Sequence, residues 1–193
     1  MTRHIAGLVL LGLLLPPVAD ADMSSAQGHR LAVMALAHDA RAYLRLDAAA
    51  HRGDAVAMNW LGAYWESAGK PARARRDYLR AAAAGNRTAA LNLGYLYRFG
   101  RGVAVDPAKA VAWYRRAAQL GSARALAELG DAYYLGQGVR RDRARAYRWY
   151  WLAASRSPQW RPVLHALADE IGPDETARAT RAAQAWLARR KQP

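Results

Sequence analysis

The 193-residue chain contains no cysteine. Thiol nucleophiles, thiolate metal sites, disulfides and a lipidated N-terminal cysteine are therefore excluded. Past the first few residues the histidines are His29, His38, His51 and His165. None stands in an H-x3-H pair, and none is joined to a glutamate at metal-binding spacing. His38 and Asp39 are chain neighbours, but adjacent side chains on a helix point apart. Ser24, Ser25, Ser67, Ser122, Ser155 and Ser157 lie in no strand–turn–helix setting that would expose a nucleophile. Asp169 and Glu170 are adjacent near a helix end, which makes a solvated face rather than two carboxylates flanking a glycosidic bond. The Gly100-x-Gly102 and Gly136-x-Gly138 turns lack the preceding strand and the following Lys-Ser/Thr of a phosphate loop. No catalytic constellation, metal site or cofactor is expected.

The elements that carry these residues repeat. An offset of 36 maps Leu93-Gly94 onto Leu129-Gly130, Gly100 onto Gly136, Gly102 onto Gly138, Val103 onto Val139 and Asp106 onto Asp142. The same offset maps Trp113-Tyr114 onto Trp149-Tyr150 and Ala117-Ala118 onto Ala153-Ala154. A shorter copy precedes them. Gly53, Ala57, Leu61 and Gly62 match Gly85, Ala89, Leu93 and Gly94 at offset 32, after which Pro71, Tyr78 and Ala81-Ala82 return to offset 36. Four residues are missing between the two helices of that first copy, a change that loops tolerate.

Each copy reads as helix A, turn, helix B. In the second copy the pattern predicts helix A over Arg87 to Phe99 and helix B over Asp106 to Leu120. Ala89, Leu93 and Tyr97 share a face at i, i+4, i+8. Gly94 lies beside Leu93, where a side chain would push the paired helix away. A mid-helix glycine costs about 1 kcal/mol against alanine, so close packing is the expected compensation. Gly100 can end helix A at positive φ, Val103 packs back on the helices, Asp106 caps helix B and Pro107 opens it. Trp113 and Trp149 are expected to pack rather than meet a ligand.

The pattern Gly-x3-Ala-x3-Leu-Gly-x2-Tyr, Gly-x-Gly-Val-x2-Asp and Trp-Tyr-x2-Ala-Ala-x2-Gly resembles the Sel-one-like (Sel1-like) repeat, a relative of the tetratricopeptide repeat. It runs from about Gly53 to Ala154, over half of the chain. The resemblance implies an all-α, right-handed superhelical solenoid of antiparallel helix pairs that acts as a protein-binding scaffold. Some relatives are credited with hydrolase-like activity, but those are disulfide-rich, and this chain has no cysteine.

The expected organisation is a signal peptide over 1–21, a capping helix region over 22–52, and three repeats over 53–84, 85–120 and 121–156. A degenerate capping pair follows over 159–193. The N-terminal cap is expected as one helix from Gln27 to Arg52, or two with a break near Leu46. At the other end one helix is expected from about Trp160 to Ile171. After Gly172-Pro173, Asp174 caps a last helix to Arg190, with Ala179, Ala183, Trp186 and Leu187 inward.

If the A helices line the concave side, subtracting packing positions leaves a stripe on each: Trp60, Ala63 and Glu66; Asn92, Tyr95 and Arg98; Glu128, Asp131 and Tyr134. Aromatic faces, an amide and charges of both signs suit a peptide or protein segment. The net charge is +14, from 29 basic and 15 acidic residues, and almost all the bases are arginine. Arg73, Arg75 and Arg76 on the first helix B, and Arg140, Arg141 and Arg143 at the third turn, are the basic surface. Their alternative partner is an anionic glycan, cell-wall polymer or lipid head group.

Thr2 to His4 is a short basic region, and Ile5 to Leu15 an apolar run too short for a bilayer span. Pro16-Pro17 and Ala19-Asp20-Ala21 complete a secretory pattern with cleavage after Ala21. The expectation is a periplasmic or secreted protein, which argues against nucleic acid as partner. Intact mass of the protein isolated from its host is expected to match a chain beginning at Asp22; retention of Met1 to Ala21 would refute export with cleavage.

Overall fold

The computed structural model describes residues 24–189, and the expected signal segment lies outside the described residues. Among the described residues there are ten α-helices and no strand: α1 Ser25–Leu36, α2 Ala40–His51, α3 Ala55–Ser67, α4 Pro71–Ala83, α5 Arg87–Phe99, α6 Pro107–Gln119, α7 Ala123–Leu135, α8 Arg143–Ala154, α9 Arg161–Ile171 and α10 Pro173–Arg189. A 3-10 turn, Pro158–Trp160, precedes α9. None of the described helices is long and apolar enough to cross a membrane. The helices stack as a right-handed solenoid of antiparallel pairs. Pairs α3/α4, α5/α6 and α7/α8 pack most closely, and each B helix leans on the next A helix.

The pairs are drawn together by one contact repeated three times. Tyr78, Tyr114 and Tyr150, from α4, α6 and α8, are 1%, 2% and 5% exposed. Each lays its ring on the mid-helix glycine of its partner. A Cβ added at Gly62 would stand 2.6 Å from the Tyr78 ring, at Gly94 2.2 Å from Tyr114, and at Gly130 2.7 Å from Tyr150. The glycine expected from spacing alone to protect helix packing has this tyrosine as its reason. Alanines complete the layer: Ala81, Ala89, Ala117, Ala125 and Ala153 are fully buried, so adjacent backbones approach closely.

The turns follow the same logic. Gly100 and Gly136 end α5 and α7 in the left-handed conformation, each returning its N–H to the carbonyl four residues back. Asp106 and Asp142 then accept from the backbone of Lys109 and Arg145 at 2.9 and 2.8 Å. Val103 and Val139 pack against the core. Between these points the long turns fold onto the preceding repeat. A Cβ at Gly102 would meet Pro71 at 2.4 Å, and one at Gly138 the Pro107 carbonyl oxygen at 2.2 Å. The first repeat links its helices through Ala68–Lys70 alone, four residues fewer than the other two.

The ends depart from expectation in two places. Asp174, expected to cap the last helix, is the second residue of α10, because Pro173 already suits the first helical position. The N-terminal cap is two helices, but the break is at Ala37 to Asp39 rather than near Leu46. Leu46 is fully buried inside α2. His38 takes φ +66° there, and Asp39 accepts from the N–H groups of Arg41 and Ala42 at 2.9 and 3.2 Å. A strong N-cap thus sets the boundary that apolar periodicity misplaced. At the other end α10 buries Ala179 and Ala183, with Trp186 and Leu187 partly covered.

Gly94→Ala is expected to destabilise the fold by about 1–3 kcal/mol, because the collision with the Tyr114 ring outweighs the helix-propensity gain of about 1 kcal/mol. Denaturant melts of Gly94→Ala, Tyr114→Ala and the double variant check this. In the double variant the second substitution should cost less than it does alone.

Candidate functional site

The A helices α3, α5 and α7 present the stripe that sequence spacing singled out, and the structure shows what faces each member. Glu128 on α7 is only 2% exposed. Its Oε1 accepts from the Tyr95 hydroxyl at 2.7 Å and from Arg124 Nε at 2.8 Å, and its Oε2 accepts from Arg98 Nη1 at 2.6 Å. Three charge-assisted bonds are what a buried carboxylate needs. Burial, followed by the Glu128 carboxylate, pushes the Tyr95 phenol up to about 12. The phenol therefore stays a donor through all ordinary pH.

Glu66 is similarly engaged. Its Oε2 accepts from the Tyr78 hydroxyl at 3.0 Å, and its Oε1 from Arg101 Nη1 of the second turn at 2.8 Å. Asp131 accepts from the Tyr150 hydroxyl. Burial and then their carboxylate partners hold both tyrosines well above the usual phenol range. Asn92 donates to Asn59 Oδ1 at 3.2 Å, crossing from α5 to α3. Five of the proposed contact residues, Glu66, Asn92, Tyr95, Arg98 and Glu128, are thus bonded to the neighbouring repeat and fix its register. Spacing placed these residues on one face but could not show that the neighbouring repeat would answer them.

Trp60 is half-buried under α1. Its ring lies 4.8 Å from that of His29, and a Cβ at Gly28 would meet it at 2.2 Å. It docks the N-terminal cap. Tyr134 remains partly open, with the Arg141 guanidinium 5.7 Å from its ring centre and Arg141 Nε on its carbonyl at 3.0 Å.

One opening on this face was missed in the sequence. A cleft of about 300 Å3 lies between α7, α8 and α9, lined by Asp131, Tyr134, Tyr150, Val163, Ala166, Leu167 and Glu170. Val163 is 42% exposed. The cleft exists because α9 takes the place of a fourth A helix while carrying small and aliphatic residues. Only the Val163, Ala166, Leu167 spacing on the degenerate segment hinted at it.

The basic residues divide. Arg73 sits over the Trp65 ring at 4.8 Å, and Arg143 Nε pairs with Glu170 Oε1 at 2.5 Å. Arg75, Arg76 and Arg140 are exposed. Among the described residues no three His, Asp or Glu side chains are grouped to hold a metal ion.

The family model described as "Sel1 repeat" matches residues 55–86, 88–122 and 123–158. Among solved structures, a protective antigen of uropathogenic Escherichia coli with an SLR fold aligns at TM-score 0.72 and 26% identity. The alignment covers 85% of this chain and 38% of that one, so this chain spans well under half of the antigen. A Sel1 repeat protein from Oxalobacter formigenes aligns at TM-score 0.59 and 32% identity, over 65% of this chain and 98% of that one. No curated protein matches. Three tandem matches across more than half of its length, built on the same tyrosine-on-glycine pairing in every copy, make this chain a member of the Sel1 repeat family.

Proposed function

We propose that this protein is a non-catalytic scaffold of the bacterial cell envelope that holds a segment of a partner protein along its A-helix face. Sel1 repeats are in general protein–protein interaction modules. The observation that carries the finer reading is the cleft of about 300 Å3 between α7 and α9. Its lining combines the buried Tyr150 and Leu167 with the more open Tyr134, Val163 and Ala166 and the carboxylates of Asp131 and Glu170. An apolar hollow with a few polar groups at its edge suits one large apolar side chain of a partner segment, while Asp131 and Glu170 are held by Tyr150 and Arg143. The stripe on α3 and α5 cannot serve as freely, because its polar atoms are already spent between repeats. The export expectation places the partner outside the cytoplasm.

Crosslinking and pull-down from the native envelope test the reading. Val163→Glu, at a position open enough to leave the fold unchanged by circular dichroism, is expected to abolish recovery of the partner. The triple reversal of the exposed Arg75, Arg76 and Arg140 to Glu is expected to leave it intact. Loss with the arginine variant alone would overturn the groove in favour of an anionic surface.

A second prediction separates fold from site. Glu128→Ala is expected to cost about 3 kcal/mol of unfolding free energy, because it strands the Arg98 guanidinium and the Tyr95 hydroxyl in a covered position. A calorimetric change within experimental error of wild type would show that the inter-repeat bonds contribute little.

A further inference from the structure

A second opening, of about 280 Å3, lies between α8 and α10. It is lined by Asp142, Ala144, Arg145 and Arg148 from the first and Glu175, Arg178, Ala179 and Ala182 from the second. Its charges nearly cancel in pairs. Arg145 Nε meets Asp142 at 3.1 Å, and Arg178 meets Glu175. Arg148 is left over. It forms no ion pair among the described residues, and its Nε is shut away from solvent with no acceptor. A buried guanidinium N–H without a partner is costly. The Trp149 ring, 5.2 Å from the guanidinium carbon, supplies a face for the cation but no acceptor for its N–H.

Burial foremost, with Arg145 and Arg189 contributing, makes the Arg148 cation harder to hold than an ordinary arginine. The lining carries three arginines against two carboxylates, one positive charge in excess.

We propose that the cleft between α8 and α10 binds an oxyanion, a carboxylate or singly charged phosphate group, gripped by the Arg148 guanidinium with Arg145 and Arg178 at its sides. A guanidinium presents parallel N–H groups that match either oxyanion two atoms at a time. The volume admits a small molecule or one terminal group of a larger one. Two lining carboxylates limit the ligand to about one net charge, which disfavours polyphosphates. The site is independent of the A-helix cleft and stands or falls separately from it.

The experiment is a backbone amide NMR titration of the full chain with sodium phosphate and with sodium acetate, each against sodium chloride at equal ionic strength. Saturable shifts are expected at Ala144, Arg145, Arg148, Arg178 and Ala182. Response to acetate as well as phosphate identifies a carboxylate source, and response to phosphate alone a phosphate source. Arg148→Gln is expected to weaken binding at least tenfold, Arg148→Lys to weaken it less, and Arg75→Gln on α4 to leave it unchanged. Shifts that fail to saturate, that scatter over the basic surface, or that persist at wild-type affinity in both Arg148 variants would overturn the proposal. The Arg148→Lys arm keeps the test decisive if Arg148→Gln folds poorly.

Discussion

The contact on which the solenoid depends is a phenol ring lying on a bare stretch of helix backbone. Tyr78 on Gly62, Tyr114 on Gly94 and Tyr150 on Gly130 each fix the distance within a helix pair. That distance sets how the alanine-rich faces of successive pairs meet. A ring that large in a core otherwise built from alanine and leucine leaves no slack, so the position opposite it tolerates no Cβ. The glycine's loss of helix propensity is repaid by the apolar ring area that its absence of side chain lets be buried.

The ring also ends in a hydroxyl, which finds an acceptor in two of the three repeats, while that of Tyr114 is buried without one. In the first and third repeats the A helix supplies one, Glu66 and Asp131. In the second repeat the corresponding helix carries Tyr95 and Arg98, whose polar atoms are turned to Glu128 of the next repeat. In the first repeat the tyrosine links two levels of organisation: the Tyr78 ring holds the pair together, and its hydroxyl donates to Glu66, which also accepts from Arg101 across the repeat boundary. Register between repeats is specified by directional bonds, which the near-uniform alanine surfaces could not specify alone.

Much of this was legible before any coordinates, because periodic sequences report their own packing. The offset of 36 exposed the pairing of Gly94 with its helix partner, the Gly100 cap and the Asp106 cap, and the structure returns α5 as Arg87–Phe99. What was not legible depends on what lies opposite. Spacing shows that Asn92, Tyr95 and Arg98 share a face, but Glu128 arrives there from another repeat. The break at His38 was hidden because a non-glycine residue at positive φ has no strong sequence mark, and the Asp39 cap stands inside an apolar run. The cleft at Val163 was hidden for a related reason: it is made by a helix that has lost the repeat pattern.

The long second and third turns carry a further implication. Gly102 closes over Pro71 and Gly138 over Pro107, so each turn uses the start of the preceding B helix as a ledge. The first repeat has the short turn, and no such helix start with proline stands before it, since α2 begins at Ala40. The array therefore has a direction. Each long turn couples its own repeat to the one before it, and shortening such a turn would remove that contact along with the loop.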